Sequence, residues 1–114
     1  MVACGSNAFC QLSLEGSELM TPALKLVSIP TPKGARSEFI SNINCGSNMS
    51  CVIASAGESE TCFLWGSGLP GTSLRVPTPL TVKEVIQVSC GPSHVGLITS
   101  DKKLYTWGSG ENGK

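Results

Sequence analysis

The side chains of this 114-residue chain best suited to chemistry are six cysteines and a single histidine, His94. Cys4 and Cys10 enclose five residues, as do Cys45 and Cys51, whereas paired zinc ligands stand roughly two to four residues apart. A zinc site would have to gather mostly unpaired cysteines from distant turns, so no metal is expected. Six cysteines would also fit three disulfides in a small secreted protein. Against that, Met1 is followed by neither a basic start nor a long apolar stretch, and the spacings are not those of a stapled framework. Buried reduced thiols that pack as small hydrophobes are the expectation.

Gly66-Ser67-Gly68-Leu69-Pro70-Gly71 is a formal G-x-G-x-x-G after a strand, and it recurs as Gly108-Ser109-Gly110-Glu111-Asn112-Gly113. In a dinucleotide site those glycines bring a helix N-terminus to the pyrophosphate, so a helix must follow. After Gly71 come Pro77 and Pro79 with no 3.6-residue periodicity, and no carboxylate stands about 20 residues on to hold a ribose. Both copies therefore read as turns, and neither NAD nor ATP is expected to bind. For His94, the sequence supplies no nucleophile and orienting acid beside it; a turn imidazole bonded to backbone is the expectation. Trp65 and Trp107 could form a binding platform, but packing between structural units suits rings that each bury roughly 150 to 250 Å². Asn48-Met49-Ser50 is a formal glycosylation acceptor with no evident route into the secretory pathway. No residue is assigned a catalytic, cofactor-binding or metal-binding role.

The elements that position these residues follow from composition and repetition. Charged residues are only 14%, while Gly (13) and Pro (7) are frequent, which suits short strands joined by tight turns. Cys-Gly recurs at Cys4-Gly5, Cys45-Gly46 and Cys90-Gly91, and Trp-Gly-Ser-Gly at Trp65 and Trp107. Gly66 and Gly108 stand 42 residues apart, and Gly46 and Gly91 stand 45 apart. Residues 39–53 lie over residues 84–98, each copy an apolar run, a polar turn and a second apolar run, which is a hairpin pattern. A third strand ends at each tryptophan. The fourth is the Thr78–Val82 segment, whose proline argues for a sheet edge. Residues 1–7 hold the place of the strand that ends at Trp65, with Cys4 where the tryptophans stand. The first unit is then the longer, and its excess is assigned to a loop around Pro30, Pro32 and Gly34.

Four short strands per 42 to 45 residues make a β-propeller blade. The fold class expected is all-β, an open partial propeller of two repeat units, about 5–65 and 66–108, cut inside blades at both ends. A small antiparallel sandwich is the alternative. Eight Lys plus Arg balance eight Asp plus Glu, which removes the electrostatic footprint of a nucleic-acid or anionic-membrane binder. No apolar run approaches the roughly 18 to 20 residues that span a bilayer. An intracellular chain, cytoplasmic or nuclear, is expected.

Val88-Ser89-Cys90-Gly91-Pro92-Ser93-His94, Leu97-Ile98-Thr99 and Leu104 to Gly113 together resemble one repeat of the regulator of chromosome condensation family. The resemblance covers nearly the whole chain in two copies and implies a seven-bladed propeller, with the remaining blades on a longer parent chain. The family continues past its tryptophan into Gly-Gln-Leu-Gly; here the nearest copy is Cys10-Gln11-Leu12-Ser13, with both glycines replaced. A branch that senses ultraviolet light carries Gly-Trp-Arg-His-Thr after the cysteine, where this chain has Gly46-Ser47-Asn48-Met49-Ser50 and Gly91-Pro92-Ser93-His94-Val95. The resemblance implies a rigid disc whose loops bind proteins. In its founding member the disc promotes nucleotide exchange on the Ran GTPase, and in others it is a regulatory or docking part of kinases and ubiquitin ligases. A noncatalytic protein-interaction segment is the first expectation. Part of a guanine-nucleotide exchange factor for a Ran-like small GTPase, or the regulatory propeller of a larger kinase or ligase, are the alternatives.

Overall fold

Nine antiparallel strands in three separate sheets make up the computed structural model, which describes residues 2–13, 20–29, 38–56, 59–67 and 74–113. The first sheet pairs β1 (Val2–Ser6) with β2 (Met20–Leu26). The second runs in the order β3 (Glu38–Cys45), β4 (Met49–Ala56), β5 (Ser59–Gly66), β6 (Leu74–Lys83). The third contains β7 (Val85–Cys90), β8 (His94–Thr99) and β9 (Leu104–Gly108). Among the described residues the one helical element is a 3-10 turn at Glu111–Gly113. Strand follows strand to its neighbour throughout, so each sheet is a meander. The molecule is flat, 43 × 39 × 19 Å.

Period-two alternation builds the core, because successive side chains of a strand point to opposite faces. On β4, Met49, Cys51 and Ile53 face the third sheet, while Val52 and Ala54 face Val27 in the segment after β2; on β5, Cys62 and Leu64 divide from Phe63 and Trp65 in the same way. The middle sheet is thus apolar on both faces. One seam joins Met49, Cys51, Ile53, Cys62 and Leu64 to Val85, Val88, Val95 and Leu97, with Leu80 and Val82 against it. The other joins Val52, Ala54, Phe63 and Trp65 to Val27, with Ile29 and Ile40 alongside. Each fully buried Ile53 or Leu64 contributes about 1.5 to 3 kcal/mol by leaving water. Successive four- and three-stranded antiparallel meanders stacked face to face are the propeller arrangement, and not the two-layer sandwich held as its alternative.

The two glycine markers have distinct steric reasons. Gly66 and Gly108 take φ of +104° and +136° at the ends of β5 and β9. A Cβ at either would strike the carbonyl of the facing hairpin, Asn48 or Ser93. Those same carbonyls accept from Ser67 N at 2.9 Å and Ser109 N at 2.8 Å, so the third strand is tied to the first hairpin in both units. Gly46, in contrast, is required by the neighbouring sheet: a Cβ there would meet the carbonyl of Gly91. Cys90 N donates to Asn44 Oδ1 at 2.7 Å across the same seam.

β6 is the edge of its sheet, as its prolines require, and its register with β5 shifts twice, with Pro79 opposite Phe63. Counted from one Trp-Gly marker to the next, a unit takes the last strand of one sheet and three strands of the next. The loop around Pro30, Pro32 and Gly34, and residues Gly68 to Gly71 of the first glycine triplet, lie outside the described residues.

Candidate interaction rims

The antiparallel meanders leave turns at two opposite rims. One carries the Gly46–Met49 and Gly91–His94 hairpins and the segments after β1 and β9. The other carries the β6–β7 junction and the β8–β9 turn.

On the first rim the Cys10-Gln11-Leu12-Ser13 stretch keeps the conformation of the glycines it lacks. Cys10 and Ser13 have φ of 61° and 52°, and Gly113, which occupies the place of Cys10 in the later copy, has 73°. Asn7 organises the turn: its carbonyl accepts from Cys10 N at 3.0 Å and its Oδ1 from Leu12 N at 3.0 Å. Gln11 Oε1 accepts from Phe9 N at 2.9 Å. What this turn presents to the middle sheet is the Gln11 carbonyl, partly buried, which accepts from Trp65 Nε1 at 2.8 Å and from Ser50 Oγ at 2.7 Å. Two strands of the middle sheet therefore grip one carbonyl of the turn that follows β1. Gln11 was legible as a remnant of the family stretch; Ser50 carries no such signal.

Trp65 is buried, 3% exposed, whereas Trp107 at the equivalent place is 42% exposed. Trp65 is thus packed in the seam of Val27, Val52 and Phe63, as expected for packing between blades, and Trp107 only in part. Trp107 and Tyr105 line, with Leu80, Val82 and Leu97, a groove of about 470 Å³ between β6 and the third sheet.

His94 departs from expectation. Its Nδ1 is buried with no hydrogen-bond partner among the described residues, and the ring fills the space a Cβ at Gly91 would need. The backbone bond of that turn runs instead from Gly91 N to the His94 carbonyl at 2.8 Å. A glycine surface receives the ring, so the imidazole packs and does not bond to backbone through Nδ1.

The opposite rim gathers charge from two turns that are distant in sequence. Lys83 and Glu84 stand at the β6–β7 junction, with Glu84 at φ 57°; Asp101, Lys102 and Lys103 form the β8–β9 turn, with Lys102 at φ 65°. Ser100 N donates to the Glu84 carbonyl at 2.9 Å and joins the two turns. The turn is closed by Thr99 N to the Lys103 carbonyl at 3.0 Å and Lys102 N to the Thr99 carbonyl at 2.9 Å. Thr99 Oγ1 donates to Asp101 Oδ1, and Asp101 Oδ2 lies 2.8 Å from Lys103 Nζ. The Lys103 ammonium first, then the Thr99 hydroxyl, hold the Asp101 carboxyl below its usual range; Asp101 in turn raises Lys103. Lys83, Glu84, Thr99, Asp101 and Tyr105 line an open cavity of about 540 Å³. Sequence reasoning did not single out this rim; its signal was two short charge clusters at turn positions.

Among the described residues no three His, Cys, Asp or Glu side chains are placed to hold a metal ion. No helix of the described residues is long and apolar enough to cross a membrane.

Comparison with known proteins agrees with this geometry. Residues 85–114 match the family model described as Regulator of chromosome condensation (RCC1) repeat. The chain is 29% identical over 89 residues to the serine/threonine-protein kinase Nek8 of Danio rerio, covering 72% of this chain and 13% of that one. It is 26% identical over 127 residues to the probable E3 ubiquitin-protein ligase HERC6 of Homo sapiens, covering 100% of this chain and 11% of that one. Among solved structures, yeast RCC1 (Prp20) in complex with Kap60 superposes with a TM-score of 0.79 at 20% identity, over 96% of this chain and 28% of the other. The chain thus spans a small part of the length of each.

Proposed function

Since the chain belongs to the regulator of chromosome condensation repeat family, we propose that it is a noncatalytic protein-interaction segment of a larger propeller, made of units at about 5–65 and 66–108. The observation that carries this reading is the charged rim. Its turns are fixed by backbone hydrogen bonds and a Thr99–Asp101–Lys103 network, and they border a solvent-open cavity with carboxylate, ammonium and hydroxyl groups of both hydrogen-bonding senses. Such a surface suits the polar rim of a protein interface, where charge sets orientation and encounter more than affinity. It offers no nucleophile paired with a base, and three lysines interleaved with two carboxylates leave almost no net charge, so a folded protein surface of mixed charge is the partner class it fits, more than nucleic acid or an anionic membrane. No cofactor is part of this reading.

The alternative that a specific measurement separates is exchange activity on a Ran-type GTPase. An exchange factor must lower the affinity of the GTPase for its nucleotide, because only preferential binding to the nucleotide-free state speeds release. A docking propeller binds and leaves that rate unchanged. The expected result is that the full-length parent does not accelerate release of a fluorescent nucleotide from Ran. Acceleration of about tenfold or more at micromolar protein would replace this reading with the exchange factor.

A further inference from the structure

Three of the cysteines converge on the seam between the middle and third sheets. Cys51 on β4 and Cys62 on β5 are both fully buried, with their sulfurs 3.2 Å apart. Cys90, at the end of β7, packs against the same cluster from across the seam and is only partly buried. We propose that these residues form an oxidation site, in which Cys90 reacts first with a hydroperoxide and Cys51 resolves the product into a disulfide.

The roles follow from access and contact. Cys90 is the member that solvent reaches, and a hydrogen bond from Cys51 keeps its thiol below its ordinary value, which favours the reactive thiolate. Cys51 is held protonated by its hydrogen bonds to Cys62 and Cys90 and by burial, so it waits as the resolving thiol. In the first step the Cys90 thiolate attacks the peroxide; the O–O bond breaks, an S–O bond forms, and the leaving alkoxide takes a proton to become an alcohol. In the second, Cys51 sulfur attacks Cys90 sulfur, the S–O bond breaks, and hydroxide leaves as water with the Cys51 proton. Two thiols are oxidised to one disulfide while one hydroperoxide is reduced to alcohol and water. Cys62, already 3.2 Å from Cys51, can then exchange onto it and free Cys90. Both products contain Cys51: one staples the two sheets together, the other closes within the middle sheet. Exposed Cys45 has no thiol beside it among the described residues and bonds to the Ser50 hydroxyl at 3.9 Å.

The test is treatment of the reduced full chain with tert-butyl hydroperoxide, followed by mapping of cross-linked peptides without reduction. A Cys51–Cys90 or Cys51–Cys62 peptide is expected, formed at least about tenfold more slowly in Cys90→Ser and at an unchanged rate in Cys45→Ser. In Cys51→Ser, or Cys51→Ala should the serine disturb folding, a dimedone-trapped sulfenic acid at Cys90 should accumulate. The wild-type map by itself is decisive: no oxidation, or oxidation confined to Cys10 and Cys45, overturns the proposal. An unchanged rate in Cys90→Ser does so as well.

Discussion

A residue that keeps a left-handed backbone without being glycine holds strain that a single substitution can release. Ser13 at φ 52° and Cys10 at φ 61° do this in the turn that presents the Gln11 carbonyl. A side chain in that region costs roughly 1 to 2 kcal/mol, partly offset because glycine loses more freedom on folding. Ser13→Gly should therefore stabilise the fold by up to about 1 kcal/mol, measured as a rise in the denaturation midpoint at unchanged m-value. A loss of stability would show that the serine side chain does more than tolerate its angle. Asp101 gives a second expectation at this scale, one of sign. Its folded value is depressed by Lys103 and Thr99, so its stabilisation is present above the ordinary carboxylate range and lost as pH falls through the folded value. Asp101→Asn should lower stability slightly at neutral pH, flatten the acid side of the profile below that range, and flatten the alkaline side where Lys103, raised by Asp101, loses its proton. Because the group is fully exposed, the change should be small and should shrink further with salt.

Between elements, the decisive contact is the Gln11 carbonyl gripped by Ser50 of β4 and Trp65 of β5. A carbonyl with two lone pairs keeps one donor when either partner is removed, and it becomes a partly buried orphan when both are. Ser50→Ala should cost about 1 kcal/mol, and Trp65→Phe somewhat more, since ring area is lost with the donor. The double variant should lose more than the sum by about 0.5 to 3 kcal/mol; strict additivity in a double-mutant cycle would dissolve the idea of a shared clamp. This contact also marks how far the sequence could be read. Eight of the nine strands and the edge position of β6 were legible because alternation, glycine punctuation and proline's missing amide are local signals, whereas β2 at Met20–Leu26 was not singled out. The clamp was half legible: Gln11 stood in a recognisable stretch, but a serine 39 residues away declares nothing about its partner. The charged rim was missed for the same reason, as Lys83-Glu84 and Asp101 to Lys103 meet only through the stacking of turns. His94 was misread because its neighbour is the bare face of Gly91, and an absent side chain leaves no mark in a pattern search.

Over the whole molecule, the middle sheet shows what the outer ones lack. Both faces of its β4 and β5 are buried, whereas the third sheet turns Ile98 and Leu104, 37% and 69% exposed, away from the middle sheet. Those two stand where Ile53 and Cys62 stand in the middle sheet, both fully buried. Here β9 also presents a free edge, since no fourth strand pairs with it among the described residues. An apolar face beside an unpaired strand edge invites a second copy, because pairing satisfies the ladder and removes the face from water together. The 114-residue chain on its own should therefore self-associate at micromolar concentration, with a sedimentation coefficient and a melting temperature that both rise with concentration. Leu104→Lys should weaken this association: the residue is already largely exposed, so the charge costs the monomer little, whereas burying it unpaired in a dimer costs several kcal/mol. A control at the other rim, Ser47→Lys in the exposed Gly46–Met49 hairpin, should leave association unchanged. A concentration-independent monomer for the unsubstituted chain would mean that three stacked sheets are sufficient by themselves, and equal effects of the two variants would move the contact away from the β9 face.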